Sequence, residues 1–351
     1  MSSVHGFQPP GAFAREVARR AQSHFRHSGE SRFADTGLWA RATCFAGLGL
    51  AAYIALLSGL PWPGSVACIV VAAFCAFMLV AQLGHDASHG SLAPAGWVNE
   101  AALFGSFAVL GVDSDAWRDR HIRLHHQVVN LPGTGIDADS VEFLRLAPDK
   151  PWRPLHRLQP LYGPLLYLVG HASMVWLDDL ATHRSARRAG RAAGTKRFVA
   201  GKLIHAALFL VIPAILLQPG WATLLAGYLL ASAVIACCFA VLIIGTHVSD
   251  LAAFPDRAEA AGMDWASHQL ATSVDWSPCS GLAAALTGGA NAHVAHHLFP
   301  GHSHRHAAVL SGIIAEAARA HGLRHRVTSF GGMVAGHWRH LLALSRPGAA
   351  A

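Results

Sequence analysis

The sequence predicts an all-α integral membrane protein: two transmembrane helical hairpins, four spans in all, with a cytoplasmic helical cap that carries clustered histidines. Three observations lead there. Thr43 to Leu83 contains no charged residue and no histidine, and Leu203 to Thr246 contains no acidic or basic residue and one histidine, His205. A span needs roughly 20 residues to cross about 30 Å of hydrocarbon, so each stretch is long enough for two. The whole chain is 53% hydrophobic and only 13% charged, well below the roughly 25% charged residues of soluble domains. Its 24 histidines nearly equal its 27 lysines and arginines, and imidazole is the commonest protein ligand for transition metals.

Taken in order, the N-terminal segment 1–34 opens on "MSSVHGFQPPGAFAREVARR", which lacks the apolar core of a secretory signal, so internal segments are expected to direct insertion. The first hairpin is expected over 43–60 and 64–83, turning at "GLPWPG". Residues 98–112 and 161–176 are apolar but short, and read as helices lying at the interface or re-entering it. The basic run Arg184, Arg187, Arg188, Arg191, Lys196 and Arg197 reads as a solvated flank facing lipid headgroups. The second hairpin is expected over 203–218 and 221–244, turning at "LQPGW". After Pro300, "HAAVLSGIIAEAARAHG" has the apolar period of a helix stopping at Gly322. Neither hairpin turn contains Lys or Arg, so the positive-inside rule puts both termini and residues 84–202 in the cytoplasm. The competing reading, buried hairpins of a large soluble protein, fits poorly because soluble cores seldom stay uncharged for so long.

The net charge of +7 is dispersed along the borders of the apolar stretches. That pattern suits an anionic lipid surface and gives no sign of a nucleic-acid partner. The six cysteines show no CxxC spacing; Cys44, Cys68, Cys75, Cys237 and Cys238 lie in apolar stretches where a thiol acts as a small hydrophobe, so neither a disulfide framework nor a cysteine metal site is expected.

Three histidine clusters share one spacing logic. His85 and His89 are four apart; His121 and His125 are four apart with His126 adjacent; His293 stands three and four residues before His296 and His297. Such positions share a helix face. Eight ligands exceed what one metal takes, and with His247, in "IGTHVSD" after the fourth span, as the ninth, the set suits two ions with four or five each. Zinc hydrolysis would want a glutamate base as in HExxH, and the chain has none. An all-imidazole iron site instead suits oxygen activation and attack on unactivated C–H bonds. His5, His24, His27, His321, His325, His337 and His340 lack the spacing and read as surface residues, and His205 reads as interfacial or facing the bundle.

These clusters resemble the membrane fatty acid desaturase family, whose pattern is HxxxH, then HxxHH or HxxxHH, then (H/Q)xxHH. The likeness extends to "HDASHGS" (85–91), Trp117, Asn130, "GIDAD" (135–139), "HVSD" (247–250), "MDWASHQLATSVDWSP" (263–278), "GGANAHVAHHLFP" (288–300) and His304. It covers about residues 35–325, implying a membrane desaturase domain there and a C-terminal tail over 326–351. The resemblance implies two iron ions held by His85, His89, His121, His125, His126, His247, His293, His296 and His297. It implies O2 as co-substrate and a long acyl chain carried on lipid, coenzyme A or acyl carrier protein. With no HPGG haem motif in the chain, a separate ferredoxin, rubredoxin or cytochrome b5 is the expected electron donor, and a multi-pass protein of the bacterial cytoplasmic membrane is the expected setting. The chain departs from the common pattern at Ala292, His293, Ala295 and Ala307, gaining a ligand and losing an acidic neighbour of the third cluster. Asp86, Asp250, Asn291, Asp137 and Asp139 are candidates to orient the ligands, helix capping and loop solvation being the alternative for each. The rival functions are a hydroxylase or carotenoid ketolase with the same clusters, and a membrane metal transporter or sensor without turnover. Against the last, the spans hold almost no polar residue to line an ion path.

Overall fold

A computed structural model describes residues 6–134, 143–190 and 194–348. Asp137 and Asp139 therefore lie outside the described residues, as do His5 and Arg191. The described chain is mostly helical; its only sheet among the described residues is the two-residue parallel pairing of Asp275–Trp276 with Val327–Thr328. It divides into two compact units, interleaved along the sequence: residues 35–119 with 165–240, and residues 1–34, 120–164 and 241–351.

Four helices are long and apolar enough to cross a membrane: Thr36–Leu57, Trp62–Ser88, Thr195–Leu217 and Trp221–Thr246. Each of the first three reaches beyond the uncharged stretch from which its span is expected. The first starts where the Asp35 carboxylate accepts from the Leu38 backbone N–H, a helix N-cap. The third takes in Lys202, whose ammonium is paired inside the fold. A charge marks the end of a hydropathy window, but the backbone stays helical where that charge finds partners.

In the first unit, helices Thr36–Leu57 and Trp62–Ser88 pass so closely at Gly49 that an added Cβ would lie 2.8 Å from the Cβ of Cys75. The Tyr53 hydroxyl donates to the Leu208 carbonyl at 2.6 Å, tying the first apolar helix to the third. The short helix Gly96–Leu110 ends at Gly111, whose φ of +80° suits glycine and whose missing Cβ leaves room for the His205 ring, 2.5 Å from where that atom would stand. His205 is fully buried, with Nδ1 at 2.9 Å from the Val109 carbonyl and Nε2 at 3.1 Å from the Tyr228 hydroxyl, which Trp176 also reaches at 2.7 Å. It faces the bundle. Close by in the chain, the Lys202 ammonium donates to the Asp179 carboxylate at 2.7 Å and to the carbonyls of Gly111 and Val175. Trp62 and Trp221, at the two hairpin turns, are 79% and 77% exposed, the placement expected of aromatic anchors at a membrane–water boundary.

The other unit is assembled from shorter helices. Ala12–Ser28 packs Phe13, Val17 and Ala21 against Leu310, Ile314 and Ala317 of helix Ala307–Ala320, which is followed by Gly322 at φ +66° as its apolar period predicts. Helix Phe330–Leu344 buries Met333, Leu341 and Leu344. Arg145 donates to the Leu344 and Arg346 carbonyls, and Trp152 to that of Ser345, anchoring the end of that helix. The surface reading of His337 and His340 is therefore corrected. Both are buried, with His337 Nδ1 at 2.6 Å from the Val248 carbonyl and His340 Nε2 at 2.7 Å from that of Leu146. Burial pushes His337 down to about 4. His325 is likewise held inside, by Asp275 at 3.0 Å with only 6% of its side chain exposed.

Candidate metal centre

The third histidine cluster sits on the short helix His293–Leu298. Its Val294 and Ala295 are buried in the apolar core with Phe13, Leu310 and Ile314. Because they fill the core side, the three histidines are turned away from it. The helix start is held by Asp275, fully buried, whose Oδ1 accepts from the Val294 N–H at 2.7 Å while Oδ2 accepts from the Ser311 hydroxyl at 2.7 Å and from His325 at 3.0 Å. Asn291 shapes the turn just before it through Thr287 and the Ser277 carbonyl.

The second cluster lies on a wide π turn, His121–His125, which closes with the His126 N–H on the His121 carbonyl. Wide turns of this kind recur at functional sites. Here it lets His121 meet both successors: its ring stacks on that of His125 with centroids 5.2 Å apart, and its Nε2 lies 3.1 Å from that of His126. A second wide turn, Val80–Gly84, directly precedes His85, and the His85 and His89 rings stand 5.4 Å apart.

Seven of the nine expected ligands belong to one unit and come together there. His125, His247, His293 and His297 each offer a ring nitrogen within 4.8 Å of the others. His121, His126 and His296 adjoin them: the His126 ring is 4.4 Å from His297 and 4.5 Å from His296, and His121 stacks on His296 at 5.7 Å. His85 and His89, the remaining two, are neighbours in the other unit.

Proton placement decides what the group of four can do. His247 Nδ1 faces the Thr272 carbonyl at 2.9 Å, His293 Nδ1 the Ala290 carbonyl at 3.2 Å, and His297 Nδ1 the Gln269 Oε1 at 2.8 Å. A carbonyl oxygen only accepts, so each Nδ1 carries the hydrogen, and a neutral imidazole has only one. The three Nε2 atoms are therefore bare lone pairs. Yet His247 Nε2 lies 2.7 Å from that of His293 and 3.0 Å from that of His297. Lone pairs facing each other at such distances repel unless a cation lies among them. A proton fits poorly there: burial, then the neighbouring His126, His247, His293 and His125, holds His297 well below the usual histidine range. A transition metal, which binds neutral imidazole, fits the donor set.

Three residues of this constellation were not singled out from the sequence: Gln269, Asp275 and Thr272, the last through its carbonyl. Their segment stands out only through the resemblance, since neither an amide nor a carboxylate in a mixed polar stretch has a spacing signature. Of the candidates to orient ligands, Asp250 instead pairs with Arg339 at 2.6 Å.

Comparison with known proteins agrees with this geometry. The model of the fatty acid desaturase family matches residues 60–329. The chain belongs to that family. It is 28% identical to an acyl-lipid (8-3)-desaturase of Physcomitrium patens over 74% of the chain and 56% of that protein, so it spans little more than half of this relative's length. A sn-1 linoleoyl-lipid 6-desaturase of Arthrospira platensis is also 28% identical, over 79% of the chain and 77% of that protein. Its counterpart in a Synechocystis species is 26% identical over 80% of each.

Proposed function

We propose that this family member is a membrane di-iron fatty acyl desaturase that introduces a double bond into a long acyl chain. The observation that carries the proposal is the convergence of three inward-facing Nε2 atoms in one buried group, a donor set that suits a cation bound by neutral nitrogen ligands. The nine histidines 85, 89, 121, 125, 126, 247, 293, 296 and 297 are the ligands of two iron ions in this reading. Bound iron supplies what no side chain here can, oxidation of an unactivated C–H bond at the expense of O2. The reaction balances when two hydrogens from adjacent methylenes, two electrons from a separate ferredoxin, rubredoxin or cytochrome b5, two protons and one O2 yield an alkene and two waters.

The chain's own residues hold the rings. The backbone carbonyls of Thr272 and Ala290 fix two of them in the tautomer that points Nε2 inward. The relatives are named for acyl groups on lipids, and we take a lipid-bound acyl chain as the substrate, reached from the bilayer that the four apolar helices would span. Both termini and the metal centre face the cytoplasm in this reading, following the distribution of Lys and Arg.

Lipid profiling of a heterologous host tests it. Cells expressing the chain should gain an acyl species two mass units lighter, and His125→Ala or His296→Ala should abolish it while the protein still accumulates in membranes. A product heavier by one oxygen would point to a hydroxylase instead. Purified protein containing zinc, with no O2 consumption on any acyl lipid, would favour a transporter or sensor.

A further inference from the structure

We infer that Gln269 is a positioning residue for the metal centre: through His297 it sets how strongly that imidazole donates to the ion. The inference rests on the proposal that the four-histidine group holds a metal. Gln269 sits on helix Trp265–Thr272 and is fully buried. Its Oε1 accepts from His297 Nδ1 at 2.8 Å, and His297 is itself fully buried.

Of the three acceptors that fix an Nδ1 hydrogen in this group, the other two are the backbone carbonyls of Thr272 and Ala290. Substitution cannot remove those. Among these three, Gln269 is the side chain, and so the one whose polarity the sequence can tune. A second observation separates this role from packing. The Gln269 Nε2 is buried and has no hydrogen-bond partner among the described residues. The amide thus contributes its oxygen to His297 and makes no bond with its nitrogen, as expected of a group retained for its acceptor. Replacing that nitrogen by oxygen is isosteric and breaks no hydrogen bond.

The general rule is that the group behind a metal-bound imidazole fixes its orientation and basicity, and that losing it costs about 10–100-fold in metal affinity. A neutral amide oxygen polarises the ring moderately. A carboxylate in its place would draw the Nδ1 proton further and make Nε2 a stronger donor, whereas an apolar side chain would leave the ring free to rotate and the Nδ1–H unsatisfied.

The test is a titration of the metal-free, detergent-purified full chain with Co(II), reading the visible ligand-field bands, for the wild type, Gln269→Glu and Gln269→Leu. The expected results are opposite. Gln269→Leu should weaken Co(II) binding by about 10–100-fold, while Gln269→Glu should bind at least as tightly as the wild type with shifted bands. Should Gln269→Leu fail to fold, the isosteric Gln269→Glu still decides through its band shift. Wild-type affinity and an unchanged spectrum in both variants, or equal weakening in both, would overturn the inference while leaving the metal reading intact. A wild-type chain that binds no Co(II) would overturn the metal reading itself and the inference with it.

Discussion

Both units bury histidines, and what each ring nitrogen meets separates two uses of the same side chain. In the unit of long apolar helices, His205 places Nδ1 against the Val109 carbonyl and Nε2 against the Tyr228 hydroxyl. Both nitrogens of His205 meet an unlike partner, and the arrangement around that ring is complete. In the other unit, His247 gives Nδ1 to a carbonyl but turns Nε2 towards two more Nε2 atoms. That arrangement suits a cation held among the three nitrogens. Burial alone therefore does not mark a ligand; the inward nitrogen facing others of its kind does.

The sharpest way to break this contrast is to remove one ring from each unit. His247→Ala should abolish both bound iron, measured by elemental analysis, and alkene formation. His205→Phe should keep its iron and lose only thermal stability, and if it lost iron as completely as His247→Ala, the contrast would collapse.

Next in size is the buried ion pair of Lys202 and Asp179, whose side chains are 15% and 9% exposed. Burial pushes the Asp179 carboxyl up even with Lys202 beside it, so the pairing does not fully offset the desolvation of that carboxylate. Lys202→Met should cost about 3–5 kcal/mol by stranding the carboxylate, read as a lower unfolding midpoint in detergent, with iron content unchanged. A midpoint equal to that of the wild type would show that the carboxyl is already protonated.

The acid response should be common to both units. Burial holds His171 in one unit, and His268 and His337 in the other, down to about 4 from the usual 6.5. Below 6.5 the unfolded chain takes up protons that the folded chain refuses, so the stability these residues allow is fully present above about pH 6.5 and is lost progressively as pH falls towards 4. Denaturant midpoints measured between pH 7 and pH 4 should fall throughout that window, and the fall should be shallower in His337→Gln. A flat profile would contradict the buried, neutral assignment.

Smaller again is Asp275→Ala, which removes the acceptor for Val294, Ser311 and His325. About 1–3 kcal/mol should be lost for donors left unsatisfied, and fraying of the His293–Leu298 helix should appear as faster hydrogen exchange at Val294. Smallest is Asp250→Ala: its pairing with Arg339 is partly exposed, and surface pairs contribute about 0–1 kcal/mol, so the midpoint should scarcely move.

The four apolar helices and the three histidine clusters are legible in the sequence because both depend on local pattern: long uncharged runs, and histidines three or four positions apart. What escaped is tertiary. His337 and His340 carry no spacing signal, and the carbonyls that receive them, Val248 and Leu146, are 89 and 194 residues away in the chain. Gln269 is identifiable only once His297 is seen beside it, 28 positions on. The third apolar helix outruns its uncharged stretch for a related reason, since Lys202 reads as a boundary until its three oxygen partners are known. His247 was placed by its position after an apolar run, without any cluster of its own.

The wide turn at His121–His125 carries one residue more than a regular helix would spend on the same revolution. It works as a phase adjuster, and its effect depends on count more than on identity. Excising Ile122 would let the segment relax to the ordinary pitch over the same revolution, so the side chains that follow would stay in phase and the second and third rings would stand three and four positions after His121, still on its face. A conservative exchange at that position should pass almost unnoticed, and a single-codon deletion there should do less harm than losing one of the histidines.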